Sequence, residues 1–244
     1  MNDARNIGKS ITSHSMGSGK LKRFLTLMLC FVLLPLPVSA TENEKLIALT
    51  FDDGPSGRFT QRLLDGLSER NVKATFLLCG YRMEQYPKLT QKIYQQGHEI
   101  GLHGYSHKTL EHSCKDGVQL EIQKNMTLIP DGCKISFFRS PGGLCNNAVR
   151  EVAKEKGLSI LLWSVDPKDW AIHDAAVITN RVVSQVKDGD IILLHDMTDS
   201  SVDAALEIID QLQRKGFRFV TASTLAAKKN VTPVPGCEYR RFPS

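Results

Sequence analysis

Five short stretches of this chain hold residue types that could do chemistry together: Asp52-Asp53-Gly54-Pro55, His103-Gly104-Tyr105-Ser106-His107, Arg139-Ser140-Pro141-Gly142-Gly143, Asp166-Pro167-Lys168-Asp169-Trp170 and His195-Asp196. Each alone has an ordinary explanation. Adjacent aspartates before Gly-Pro cap a turn. Two histidines four apart share one face of a helical turn without binding anything. An arginine before Pro-Gly makes a surface contact, and a histidine after four aliphatic residues sits in a core. Taken together they supply more. Two histidines and a carboxylate make a facial triad that holds a divalent metal and leaves positions open for water and substrate. A second carboxylate beside the first can take a proton from that water, and a histidine elsewhere can give one to a leaving group. Metal-assisted hydrolysis of an acyl group uses all of these parts.

The elements that must position them follow from periodicity. From Leu46 onward, short apolar and β-branched runs alternate with longer stretches of helical spacing. Strands are expected over 46–51, 74–78, 99–103, 136–139, 159–165, 190–195 and 217–221. Helices are expected over 59–70, 87–96, 118–129, 148–156, 175–186 and 202–215, with Gly157 and Gly216 as stops. Such alternation implies a parallel α/β sheet, open or closed into a barrel. Ligands gather at the carboxyl ends of the strands in these folds, and each of the five stretches lies at such an end. One domain is expected over 41–229, followed by an irregular tail over 230–244 that Cys237 could staple down.

Residues 1–40 read as a secretory signal peptide: Lys20, Lys22 and Arg23, an apolar run from Phe24 to Val38, then Val38-Ser39-Ala40. Pro35 and Pro37 interrupt the run, which at about 15 residues falls short of the roughly 20 that a spanning helix needs. Cleavage after Ala40 would give a secreted or periplasmic protein with no stable membrane span. Of the 244 residues, 41% are hydrophobic and 23% charged, which excludes disordered, collagen-like and coiled-coil chains. Five of the 31 basic residues but only one of the 26 acidic ones lie before Thr41, so the formal charge of +5 nearly vanishes in the remainder. No basic footprint for nucleic acid is left. In an oxidising compartment, Cys79, Cys114, Cys133, Cys145 and Cys237 would be expected to form disulfides with one thiol left over. The absence of a Cys-x-x-Cys pair argues against a zinc ribbon, and the absence of a Gly-x-Ser-x-Gly elbow against a serine esterase.

Thr50-Phe51-Asp52-Asp53-Gly54-Pro55, His103 to His107, Arg139 to Gly143, Asp166 to Trp170 and Leu193-Leu194-His195 resemble, in order, the five motifs of the polysaccharide deacetylases, the NodB-homology domain or carbohydrate esterase family 4. The resemblance covers roughly 46–222, and the motifs around Asp166 and His195 are similar to those of chitooligosaccharide deacetylases. It implies a distorted (β/α) barrel of seven or eight parallel strands that removes acetyl groups from N-acetylglucosamine-containing glycans: peptidoglycan, chitin oligosaccharide or exopolysaccharide. By position it implies Asp53, His103 and His107 as ligands of a divalent metal, usually Zn2+ and alternatively Co2+. It implies Asp52 as general base, with Arg139 holding it, and His195 as general acid, with Asp166 orienting it. Trp170 and Leu193 would wall the acetyl methyl, and Gly142 would offer a backbone N–H to the oxyanion. Gly104 stands where the family usually has Ser or Thr, and Ser140 and Gly142 stand where it often has Pro and an aromatic. Two other activities share this pattern: an O-acetyl esterase of the xylan type, and an inactive carbohydrate-binding protein.

Overall fold

The computed structural model describes residues 44–243; the signal-peptide reading of residues 1–40 lies outside them. The elements are β1 (Lys45–Asp52), α1 (Gly57–Glu69), β2 (Thr75–Leu78), α2 (Gly80–Gln85), α3 (Pro87–Gln95), β3 (Glu99–Leu102), α4 (Lys115–Met126), β4 (Phe137–Phe138), α5 (Asn147–Glu155), β5 (Ser159–Leu161), α6 (Ala175–Val183), β6 (Ile191–His195), α7 (Asp199–Arg214), β7 (Phe217–Phe219), α8 (Ala222–Lys228) and β8 (Glu238–Tyr239). All strand pairs are parallel, in the order β6-β1-β2-β3-β4-β5-β8, with β7 also on β1. A bridge from Val165 to Ile192 carries the chain beyond β5 onto β6 and closes the ring. The result is the distorted (β/α) barrel expected, with β7 added on β1 and β8 on β5.

Each strand of such a barrel buries both faces, as the near-continuous apolar runs require. In β1, Ile47, Leu49 and Phe51 point outward into a layer shared with α1 and α7. Leu46 and Ala48 point inward to a second core with Leu161, Ile191 and Phe242. The next inward positions up the strand are Thr50 and Asp52, both buried. The barrel interior therefore turns from apolar to polar toward the carboxyl ends, where the site lies. In α7, Val202, Ala205, Ile208, Ile209 and Leu212 form the buried stripe that a 3.6-residue period produces.

The expected strands and long helices all have counterparts, and four short elements were not foreseen: α2, a 3-10 turn over Pro141–Gly143, α8 and β8. The tail is not irregular throughout. Ile160 N–H donates to Cys237 O, Leu162 N–H to Tyr239 O and Phe242 N–H to Gly189 O, so the tail is held by sheet hydrogen bonds. Gly189 must be glycine, because a Cβ there would lie 2.2 Å from Phe242 O. The expectation of disulfides is corrected: all five cysteines among the described residues are free, from buried Cys79 to exposed Cys114 and Cys237.

Candidate active site

The strand ends converge on a cleft of about 410 Å3 lined by Asp52, Asp53, His103, His107, Gly142, Trp163, Asp166, Trp170, Leu193 and His195. A larger hollow of about 630 Å3 opens at the amino end of β1, but its wall carries Arg70, Lys215 and Arg218 and none of the residues singled out above. Arg139 lies beneath the cleft, fully buried. Its Nη1 donates to Asp52 Oδ1 at 2.6 Å and to Thr50 Oγ1 at 2.9 Å. Its Nε and Nη2 donate to Leu161 O and Leu162 O. The guanidinium thus ties β1 to β5 while fixing one oxygen of Asp52. The other oxygen, Oδ2, faces His103 Nε2 at 3.7 Å.

Asp53 follows in the left-handed region at φ 71°, and its carboxylate also reaches His103. Its Oδ1 sits 3.2 Å from His103 Nε2 and 2.9 Å from His107 Nε2, yet this buried oxygen has no partner with hydrogen-bond geometry. Burial would raise the Asp53 pKa, but the two imidazoles outweigh it and hold the carboxyl well below the usual range. The proximity of Asp53 raises that of His107 in turn. The three ligand atoms all lie within 4.8 Å of one another. His103 Nδ1 sits 2.8 Å from Arg139 O; a carbonyl can only accept, so the proton is on Nδ1 and the Nε2 lone pair faces the cleft. An orphaned carboxylate oxygen beside two imidazole nitrogens is the donor set of a divalent ion, and these residues fit one.

The carboxylate that meets His195 is Asp169, which corrects the assignment of Asp166 to that place. Fully buried, Asp169 accepts from His195 Nδ1 at 2.8 Å through Oδ1 and from His195 N–H at 2.8 Å through Oδ2. Asp166 instead folds back on its own turn, accepting from Lys168 N–H at 2.8 Å, and lines the cleft. Burial disfavours a charged His195, but the hydrogen bond and charge of Asp169, with Asp52 and Asp53 beyond, outweigh it and raise the pKa to about 9. Next to it, Asp196 is buried and its carboxylate accepts from the Thr60 hydroxyl; burial pushes that carboxyl up to about 6. Gly54 packs against this carboxylate, and a Cβ would lie 2.5 Å from Asp196 Oδ1. Asp196 thereby fixes the loop that leaves the aspartate pair.

Residues 39–161 match the polysaccharide deacetylase family. A peptidoglycan-N-acetylglucosamine deacetylase of Bacillus cereus is 39% identical over 194 residues, spanning 77% of this chain and 91% of that one. The chain belongs to the polysaccharide deacetylase family. Peptidoglycan-N-acetylmuramic acid deacetylase PdaC of Bacillus subtilis is 37% identical over 199 residues, 80% of this chain but only 42% of the relative, so the chain spans less than half of that protein. Among solved structures, a family 4 acetyl xylan esterase from Clostridium thermocellum, in complex with a cobalt ion, superposes with a TM-score of 0.76 at 32% identity, covering 82% of this chain and all of that one.

Membership gives the departures at Ser140 and Gly142 a physical counterpart. Trp163, which the periodicity places inside a strand over 159–165, supplies an aromatic wall of the cleft. Gly143, at φ 73°, makes room for it: a Cβ there would lie 2.6 Å from the indole. Trp170 stands on the rim, 61% exposed, and Leu193 is buried in the wall. The signal for Trp163 was an indole at the carboxyl end of a strand, next to the Asp166 turn.

Proposed function

We propose that this family member removes N-linked acetyl groups from N-acetylglucosamine-containing glycans, such as peptidoglycan, chitin oligosaccharide or exopolysaccharide. The reading rests above all on the juxtaposition of Asp53, His103 and His107 with an arginine-held Asp52 and a carboxylate-paired His195 in one cleft. Zn2+ suits the donor set best, held by those three side chains. Bound there, the ion would polarise the acetyl carbonyl and acidify the attacking water. Asp52, with Oδ1 pinned by Arg139, takes the water's proton on Oδ2. His195 holds a proton near neutral pH and delivers it from Nε2 to the departing amine, because Nδ1 is occupied by Asp169. Gly142 offers a backbone N–H to the carbonyl oxygen as it gains charge, and Trp170 and Leu193 flank the methyl. Secretion or a periplasmic location fits such substrates. Among the described residues no helix is long and apolar enough to cross a membrane.

Acetate release from an N-acetylglucosamine oligomer and from acetylated xylan, with metal-free, zinc-loaded and cobalt-loaded protein, tests the reading. Metal-dependent release from the oligomer is the expected result. Release from acetylated xylan alone would make the protein an O-acetyl esterase, the activity named for the Clostridium thermocellum structure. Release unaffected by metal removal would overturn the role of Asp53, His103 and His107.

A pH prediction follows from Asp169. A general acid must be protonated, so kcat/KM should fall as pH rises through the pKa of His195. Asp169→Asn removes the charge that leads the influences raising this pKa, leaving only Asp52 and Asp53 to oppose burial. The alkaline limb should therefore move to lower pH by about one to two units, and an unmoved limb in the pH–rate profile would separate Asp169 from the acid.

A further inference from the structure

The loop bearing His103 and His107 makes two left-handed turns within four residues. Gly104 and His107 both lie in the left-handed region, at φ 75° and 60°, which is uncommon for a residue other than glycine. The residue after His103 has no side chain with which to brace the turn. One face of α4 supplies what is missing. Glu121 Oε2 accepts from Tyr105 N–H at 2.8 Å and from Ser106 N–H at 2.7 Å, and its Oε1 accepts from the Ser106 hydroxyl at 2.7 Å. One turn further along, at the i+4 position on the same face, fully buried Asn125 donates through Nδ2 to Leu78 O at 2.9 Å and to Gly104 O at 2.5 Å. Lys124 Nζ lies 3.4 Å over the Tyr105 ring. The helix itself is anchored by Val118 and Ile122, buried in a core with Leu102 at the end of β3. The three loop residues between the two histidines are thus all held by α4, two of them by a single carboxylate.

We propose that Glu121 is a positioning residue for the metal site: its carboxylate fixes the peptide groups of Tyr105 and Ser106 and so sets the separation of the two imidazole nitrogens. This rests on the reading that Asp53, His103 and His107 hold a metal. Glu121 touches neither ligand nor substrate, and acts through the loop. Outer groups that orient ligands typically change metal affinity about 10–100-fold when removed.

The test is zinc affinity, measured by competition with a chromogenic chelator on the purified protein, with the melting temperature of the metal-free form recorded beside it. Glu121→Ala should raise the zinc Kd about tenfold or more, with kcat returning toward that of the wild type at saturating zinc. Glu121→Gln keeps an oxygen for the two N–H groups and an amide donor for the Ser106 hydroxyl, so it should restore most of the affinity. Should E121A not fold, Ser106→Ala, which removes one of the three bonds, should give a smaller rise in Kd. A lower melting temperature with an unchanged Kd would make Glu121 merely structural and overturn the proposal. E121Q as impaired as E121A would do the same, by assigning the effect to charge rather than to hydrogen bonds. A wild type that takes up no zinc would overturn the metal reading beneath it, whereas equal zinc affinity in wild type and E121A overturns this proposal alone.

Discussion

Asp52→Asn should leave zinc content unchanged and lower kcat by roughly 10²- to 10⁴-fold, the range that a positioned general base contributes. The amide fills the same volume and its oxygen can still accept from Arg139 Nη1, now at 2.6 Å from Oδ1. What disappears is the basicity of Oδ2, the oxygen that faces His103 across 3.7 Å. Asp53 cannot take over. The two histidines hold its carboxyl well below the usual range, which makes it a poor proton acceptor. The buried guanidinium loses its counter-charge, so a stability loss of about 1–3 kcal/mol should accompany the lost turnover. Metal analysis with steady-state kinetics on the folded variant separates the two effects. Turnover within tenfold of wild type would place the base elsewhere.

Arg139→Met should be the most destabilising of these substitutions, by about 3–5 kcal/mol. The side chain is wholly buried, and its removal takes the donor from a buried carboxylate and from the carbonyls of Leu161 and Leu162, while the Thr50 hydroxyl keeps only its bond to Ile192 O. Methionine replaces the packing volume but none of the donors. Against a total stability of about 5–15 kcal/mol for a typical domain, the loss should be plain in urea denaturation as a lower midpoint with an unchanged slope. A change under about 1 kcal/mol would mean that neighbouring groups or water satisfy these acceptors without the guanidinium. Activity should fall with stability here, whereas in Asp52→Asn activity should fall far further than stability.

How much of this was legible in the sequence depended on whether a residue acts from its own strand end or reaches across to another. Asp52, Asp53, His103, His107 and His195 sit at or just beyond the ends of β1, β3 and β6, so the alternation of elements placed them in one cleft without any knowledge of side-chain direction. The choice between Asp166 and Asp169 could not be made that way. They lie three apart on one loop, and the left-handed conformation of Lys168 at φ 60° decides which carboxylate swings over to His195; no periodicity encodes that turn. Helical spacing places Glu121 and Asn125 on one helix, and Asn125-Met126-Thr127 has only the form of a glycosylation acceptor; neither signal points to the loop, because a polar residue on a helix usually faces water. Only the packing of α4 beside β3 turns that face toward the loop. The short strand β8 escaped notice because two residues carry no period, and Pro233 and Pro235 before it read as loop.

That strand also bears on the order in which the molecule can assemble. Residues 238–242 pair with β5 and with Gly189, and β1 is held on either side by β2, β6 and β7, the last two lying well over a hundred residues away in the chain. Contacts of such long range make folding slow, since loop-closure entropy is lost before they can be made. The β5 edge stays unpaired until residues 238–239 have been made, and an open edge of that kind invites pairing with other chains. The sheet is therefore completed only after β6 and β7 are available to β1, and until residues 238–239 dock the open edge of β5 is the part of the molecule most in need of cover.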